Sequence, residues 1–370
     1  MKKIVYLMEY PIDLPGGAQL STELIAAALA ENPGYGYEAV VICPELLSRR
    51  TTDFPFRILT YPMGEKRFPN LLKRIKAFRK YIGEEAPDLI HIEMSESLIT
   101  YGFIMGAFRR IPHIYTDRGM LFGYRKRSRL FMDPVLKTAA CLITTTEKNR
   151  RLWSENTSFG PVYTIPNTIS SVFESYDESR KKRDGRLSVG FAGRVCVEKD
   201  WGKVPLIVRA LKDRGIDFEV HLVLSLYERG DREFADRLKS DIEGIIGKNR
   251  LKYSEELSQK EMSDFYYGVD LFIMTSVFES FGKAAVEAMS RKCCIMSTNA
   301  GGLPEVIGRD ENLYSTDNIE KLCLYAERLI ADPDFLRKEQ EYFFRRYKEL
   351  FTGEAYVRRH LETYDRILSP

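Results

Sequence analysis

No stretch of the 370 residues approaches the roughly 18 consecutive apolar side chains that span a bilayer, so no membrane-crossing helix is expected. The opening run Lys3–Met8 is apolar but is cut short by Glu9, and no small-residue cleavage site follows. It reads as a first buried strand rather than a secretion signal. Metal ligands are sparse. The four histidines, His91, His113, His221 and His360, have no ligand spacing, and no metal is expected. The six cysteines, Cys43, Cys141, Cys196, Cys293, Cys294 and Cys323, lack any CxxC pair and lie mostly among apolar residues. Reduced, buried thiols in a cytoplasmic protein account for them better than disulfides or zinc. A net charge of +3 is too small for bulk electrostatic capture of nucleic acid. Solenoid-length repeats and low-complexity tracts are also lacking. What remains is an ordinary globular balance, 44% hydrophobic and 29% charged, in a chain long enough for two domains.

Short apolar, β-branched runs alternate with helix-like stretches throughout. The first series is Lys3–Met8, Glu38–Cys43, Asp88–Ile92, His113–Thr116, Cys141–Thr144 and Val162–Ile165, with a helix over Leu20–Leu29. The second is Leu187–Ala192, Phe218–Leu224, Leu271–Met274 and Cys293–Ser297. This alternation predicts an α/β protein of two Rossmann-like, doubly wound domains facing across a cleft, each with a parallel sheet of βαβ units. The segment between the series is rich in Ser, Asp, Glu and Lys and is the best linker candidate. The terminal helix, about Glu354–Leu368, carries Val357, Leu361, Tyr364 and Leu368 on one face, which must dock somewhere.

The most informative stretch follows the buried run Leu271–Met274. Thr275–Met289 reads as a loop and then a helix beginning near Phe281 or Gly282. Amides at such a helix start lack internal partners and suit a phosphate or sugar oxygen. Gly282 admits a ligand close to the backbone. Glu279 stands in the loop, and Glu287, more than a turn into the helix, is placed to accept hydrogen bonds from a diol such as a ribose. The plainer alternative makes Glu279 a helix cap and Glu287 a solvated side chain.

Glu279-Ser280-Phe281-Gly282 with Glu287 resembles the E-x-F-G-x4-E signature of glycosyltransferase family 4. The resemblance runs over nearly the whole chain. Gly193-Arg194-Val195-Cys196-Val197-Glu198-Lys199 resembles the family's G-R-x3-E-K element, Gly301–Ile307 its G-G-x-P-E-V-I element, Ile165-Pro166-Asn167 its I-P-N element, and Gly16-Gly17-Ala18 its glycine-rich first loop. The resemblance implies the GT-B fold: an acceptor-side domain over 1–167, a nucleotide-sugar domain over 168–350 with its linker at 168–186, and a helix at 351–370 crossing back to the first domain. The implied enzyme is retaining and metal-independent, with a nucleotide sugar as co-substrate, no cofactor, and a glycan, lipid-linked or protein acceptor. It also implies roles. Arg194 and Lys199 clamp the diphosphate, where cationic side chains must hold the departing charge. Glu279 contacts the transferred sugar and Glu287 the ribose. Gly16, Gly17 and Gly193, with the amides of Ser280, Phe281 and Gly282, approach the donor, and Leu257 lies beside the base. A nucleotide-sugar epimerase of the same fold, or a non-catalytic subunit, are the alternatives.

One position departs from the family. Where a first-domain T-x-H-G loop often carries histidine, Thr116-Asp117-Arg118-Gly119 places Arg118. Arg118 is expected to bond sugar or phosphate oxygens, and Asp117 to orient the acceptor. Finally, Pro69–Glu85 sets Lys73, Arg74, Lys76, Arg79 and Lys80 opposite Leu71, Leu72, Ile75, Phe78 and Ile82, with Arg125-Lys126-Arg127 and Arg129 downstream. The favoured reading packs this helix on its own core with its charges in water. The alternative lays it on an anionic membrane surface, peripheral to the inner face.

Overall fold

The computed structural model describes residues 1–14, 16–47, 53–62, 68–93, 110–124, 136–181 and 185–369. The chain separates into two compact units: Met1–Asn167 together with Gly353–Pro370, and Thr168–Thr352.

In unit 1, β1 (Lys2–Met8), β2 (Tyr37–Pro44), β3 (Arg57–Tyr61), β4 (Leu89–Glu93), β5 (His113–Asp117), β6 (Cys141–Thr144) and β7 (Val162–Thr164) form a sheet ordered β3-β2-β1-β4-β5-β6-β7. Every pairing is parallel; Val5, for example, aligns with Val40 on one side and Ile90 on the other. Helices α1 (Gly17–Glu31), α2 (Phe68–Glu85) and α3 (Glu147–Asn156) connect strands, and α11 (Gly353–Leu368) belongs to the same unit. The sheet is apolar on both faces because both are covered. Ile4, Tyr6 and Ile25 share one core with Tyr356, Val357 and Tyr364 of α11. Val5, Leu7 and Ile90 share another with Phe78 and Ile82 of α2.

Unit 2 is ordered β10-β9-β8-β11-β12-β13, again wholly parallel. Its strands are β8 (Leu187–Arg194), β9 (Phe218–Ser225), β10 (Leu251–Glu255), β11 (Leu271–Met274), β12 (Cys294–Thr298) and β13 (Leu313–Tyr314). Its helices are α4 (Lys203–Asp213), α5 (Asp231–Ile246), α6 (Gln259–Tyr267), α7 (Lys283–Ser290), α8 (Leu303–Ile307), α9 (Glu320–Ala331) and α10 (Pro333–Leu350). Sequence order reverses at β8, which lies between β9 and β11. In open sheets of this kind, ligands bind outside the carboxyl ends of the strands at such a switch point.

The polar segment expected to be a linker is mostly exposed among its described residues, but a few side chains pin it to unit 2. Phe173 is fully buried in the core of unit 2. Lys181 is buried as well, its ammonium donating to the carbonyls of Val269 and Arg291. Composition gave no sign of the Lys181 contact, because a lysine can bury its stem when backbone carbonyls solvate its head.

The basic helix α2 buries Phe78 and Ile82 and leaves Lys73, Lys76, Arg79 and Lys80 exposed. Arg74 is drawn inward to Glu9 at 3.5 Å and lies over the Tyr61 ring. Arg125, Lys126, Arg127 and Arg129 fall outside the described residues. Among the described residues, no helix is long and apolar enough to cross a membrane.

Candidate active site

The switch point of unit 2 is built by two loops that brace each other. After β8, the chain passes Gly193 and Arg194 into a single 3-10 turn, Val197–Lys199. Trp201 Nε1 donates to the Arg194 carbonyl at 2.8 Å and closes this loop. After β11, the Val277 amide donates to the Glu198 carbonyl at 2.8 Å, and Thr275 Oγ1 donates to the Lys199 carbonyl at 2.6 Å. The second loop is held from its other side by the Gly302 amide, 2.8 Å from the Glu279 carbonyl.

Two glycines are required here. Gly282 caps α7 at φ +105°, and a Cβ there would meet Leu303 Cδ2 at 2.5 Å. At Gly301 a Cβ would stand 1.8 Å from the Glu279 carbonyl oxygen, so no other residue lets the loops pass this closely.

This bracing brings Lys199 Nζ to 3.1 Å from Glu279 Oε2, with side chains 16% and 20% exposed. Phe281, next in the signature, turns its ring into the core edge-on to Phe351, so only its backbone faces the loop. Along α7, Glu287 is half-buried, and its Oε2 accepts from the Tyr266 hydroxyl of α6 at 3.1 Å. Burial pushes the Glu287 carboxyl up to about 7, against the Tyr266 hydrogen bond and the charges of Lys283 and Lys199. Arg194 is exposed, with its guanidinium 5.9 Å from the centroid of Tyr227. The Lys199–Glu279 pair is therefore formed, while Arg194 makes its cation–π contact elsewhere.

Leu257 is half-buried and lines a pocket of about 280 Å³ with His221, Val223, Lys252, Ser254 and Phe265. Glu255, at the end of β10, is tied down by the Tyr253 hydroxyl and Arg232, both at 2.5 Å.

In unit 1, Gly16 caps α1 with extended backbone, and Gly17 opens the helix. Asp117 and Arg118, at the end of β5, depart from the expected sugar-facing roles. Asp117 is fully buried and accepts four hydrogen bonds: from the Gly119 amide and the Tyr124 hydroxyl at Oδ1, and from Asn149 and Trp153 at Oδ2. Arg118 is buried too. It grips Glu93 through Nε and Nη2, both at 2.8 Å, and donates to the Tyr356 hydroxyl at 2.9 Å and to Asn167 Oδ1. Burial opposes its charge, but the Glu93 carboxylate outweighs that and holds it protonated. A guanidinium with four of its N–H groups engaged inside the fold is an anchor. It fastens Asn167, where the chain leaves unit 1, and Tyr356, just after it returns.

The model of the family described as Glycosyl transferases group 1 matches residues 172–346, and that described as Glycosyltransferase Family 4 matches residues 15–171. The chain belongs to glycosyltransferase family 4. An uncharacterized glycosyltransferase of Methanocaldococcus jannaschii is 25% identical over 288 residues, 71% of this chain and 76% of that protein. A solved glycosyltransferase from Rickettsia africae superposes with a TM-score of 0.81 at 17% identity, covering 100% of this chain and 99% of that one. The Anabaena protein HepE, solved in complex with UDP-glucose, superposes with a TM-score of 0.79 at 16% identity over 99% of this chain and 100% of its own. The two parallel-sheet units are those of a GT-B glycosyltransferase.

In this glycosyltransferase the contiguous motifs fold where their spacing places them, at the ends of β8 and β11 and the start of α7. Three contributors escaped the sequence reading. Lys283 had a usable signal, standing four residues before Glu287 on one helix. Tyr266, 21 positions from Glu287, and Glu93, 25 positions from Arg118, had none.

Proposed function

We propose that this glycosyltransferase moves a hexose-type sugar from a nucleotide-diphosphate sugar to a glycan, lipid-linked glycan or protein, with retention of configuration. The observation that carries the reading is the Lys199–Glu279 pair beside Glu287 at the switch point of unit 2. Cleavage of the bond between the sugar C1 and the diphosphate oxygen sends an electron pair to that oxygen. Lys199, Arg194 and the amides at the start of α7 are assigned to hold the resulting charge. Glu279 receives hydroxyls of the sugar, and Glu287 those of the ribose. The acceptor hydroxyl attacks C1 on the face the phosphate leaves. Its proton passes to a phosphate oxygen, so no protein nucleophile is required. Unit 1 is assigned the acceptor, with Gly16 and Gly17 at the donor phosphate. UDP is the first nucleotide to test, because HepE was solved with UDP-glucose.

A thermal-shift panel of UDP-, GDP- and ADP-sugars tests donor binding, since a ligand bound only by the folded protein raises the melting temperature. One nucleotide series should stabilise the wild type. Lys199→Met should lower transfer by about a hundredfold while the fold survives. A flat panel, or full transfer by Lys199→Met, would overturn the assignment.

A further inference from the structure

Tyr266 sits in the last turn of α6, fully buried, with its ring edge-on to Phe265 at 4.9 Å, Phe272 at 5.3 Å and Phe173 at 6.2 Å. A ring enclosed on three sides by other rings cannot swing away without opening the core. Its hydroxyl is therefore a fixed donor, and it is aimed at Glu287 Oε2, 3.1 Å away. Burial pushes the phenol well above its ordinary range, so it does not lose that proton near neutrality. Glu287 Oε1 accepts no hydrogen bond among the described residues.

We propose that Tyr266 is a positioning residue for donor binding: it holds Glu287 by Oε2 and leaves Oε1 as the oxygen offered to the vicinal diol of the nucleotide. The proposal rests on the reading above that Glu287 receives the ribose. A carboxylate is free to rotate about its last bond, and one fixed oxygen removes that freedom before the ligand arrives. Part of the cost of ordering the pair is then met by folding rather than by binding.

The arrangement also couples binding to a proton. The titratable groups facing Glu287 are Tyr266 from α6, Lys283 from its own helix and Lys199 from the loop after β8. A diol that donates twice needs the carboxylate, since a neutral carboxyl has given one acceptor site to its own proton. Burial holds the carboxyl near 7, so binding is expected to weaken as pH falls through that value and to release a proton below it. The Tyr266 hydroxyl favours the anion. Removing it moves this acid limb to higher pH.

The test is calorimetric titration of UDP into the full chain, as wild type, Tyr266→Phe and Glu287→Gln, at pH 6.5 and 9. Glu287→Gln lacks the carboxyl, so ratios to it cancel the nucleotide's own titration. Tyr266→Phe should bind UDP about tenfold more weakly than wild type at pH 6.5, with most of the loss recovered at pH 9. An equal loss at both pH values marks a merely structural role and overturns the proposal, as does unchanged binding. Labelled-carboxyl NMR reads the same point without ligand. The Glu287 midpoint should rise in Tyr266→Phe, and an unmoved midpoint refutes the coupling. If the wild type binds no nucleotide at either pH, the donor reading itself fails, and this proposal fails with it.

Discussion

Glu287→Gln keeps the length and planarity of the side chain and an oxygen for the Tyr266 hydroxyl, and removes only the charge. In the folded protein the Glu287 carboxyl is held near 7 instead of 4.5, chiefly by burial. Each pKa unit corresponds to about 1.4 kcal/mol, so ionising this group costs the folded state about 3 kcal/mol at pH 8, or about 2 kcal/mol after allowance for its partial exposure. The sign follows from the direction of the displacement. A carboxyl raised on folding supports the fold fully below 4.5, and that support is lost as pH rises through 7. Glutamine loses nothing over this range. Unit 2 of Glu287→Gln should therefore match the wild type near pH 4.5 and exceed it by about 2–3 kcal/mol at pH 8. For a unit of this size the gap corresponds to about 5 °C in melting temperature. Urea unfolding across pH 4.5–8.5 would measure it, with Trp201 reporting unit 2 and Trp153 reporting unit 1. Nucleotide-induced stabilisation should vanish in the same variant. A gap that is constant with pH, or a variant weaker than wild type at pH 8, would refute the reasoning.

Arg118→Met should destabilise unit 1 by about 3–5 kcal/mol in urea, because it strands the Glu93 carboxylate in the core. Arg118→Lys should fail to restore it, since an ammonium cannot reproduce the two-oxygen grip. In the same unit, burial pushes His91 and His360 down to about 3. Histidines lowered on folding support the fold above 6.5 and withdraw that support as pH falls towards 3. Unit 1 should thus lose about 4 kcal/mol between pH 8 and pH 5, opposite in sign to unit 2; equal stability at both would contradict this. Gly301→Ala must displace the Glu279 carbonyl, and single-turnover kinetics should show transfer falling by about a hundredfold; an unaffected rate would show that the loop contact does not position Glu279.

Much of the candidate site was legible because its parts are local. A buried run, a glycine at a helix start and two glutamates eight positions apart need no knowledge of the rest of the chain. The central strands were legible for the same reason, each being a short, mostly apolar run. The strands that escaped were β3, β10 and β13, which are ordered at the sheet margins. Leu251–Glu255 alternates half-buried and exposed positions, and Leu313–Tyr314 is two residues long, so neither carries a core-strand pattern.

The sequence by itself determined the alternation of strand and helix, the family and the order of the loops that carry charge. Only the tertiary structure decided that Lys199 meets Glu279, that Tyr266 holds Glu287, that Arg118 and Asp117 are spent inside unit 1, and that Phe173 and Lys181 pin the polar segment after Asn167 to unit 2. The physical reason is common to all four. A side chain's hydrogen-bond partner and the dielectric around it are set by residues tens to hundreds of positions away, and a charge is committed to a ligand or to the fold only once burial has chosen its neighbours.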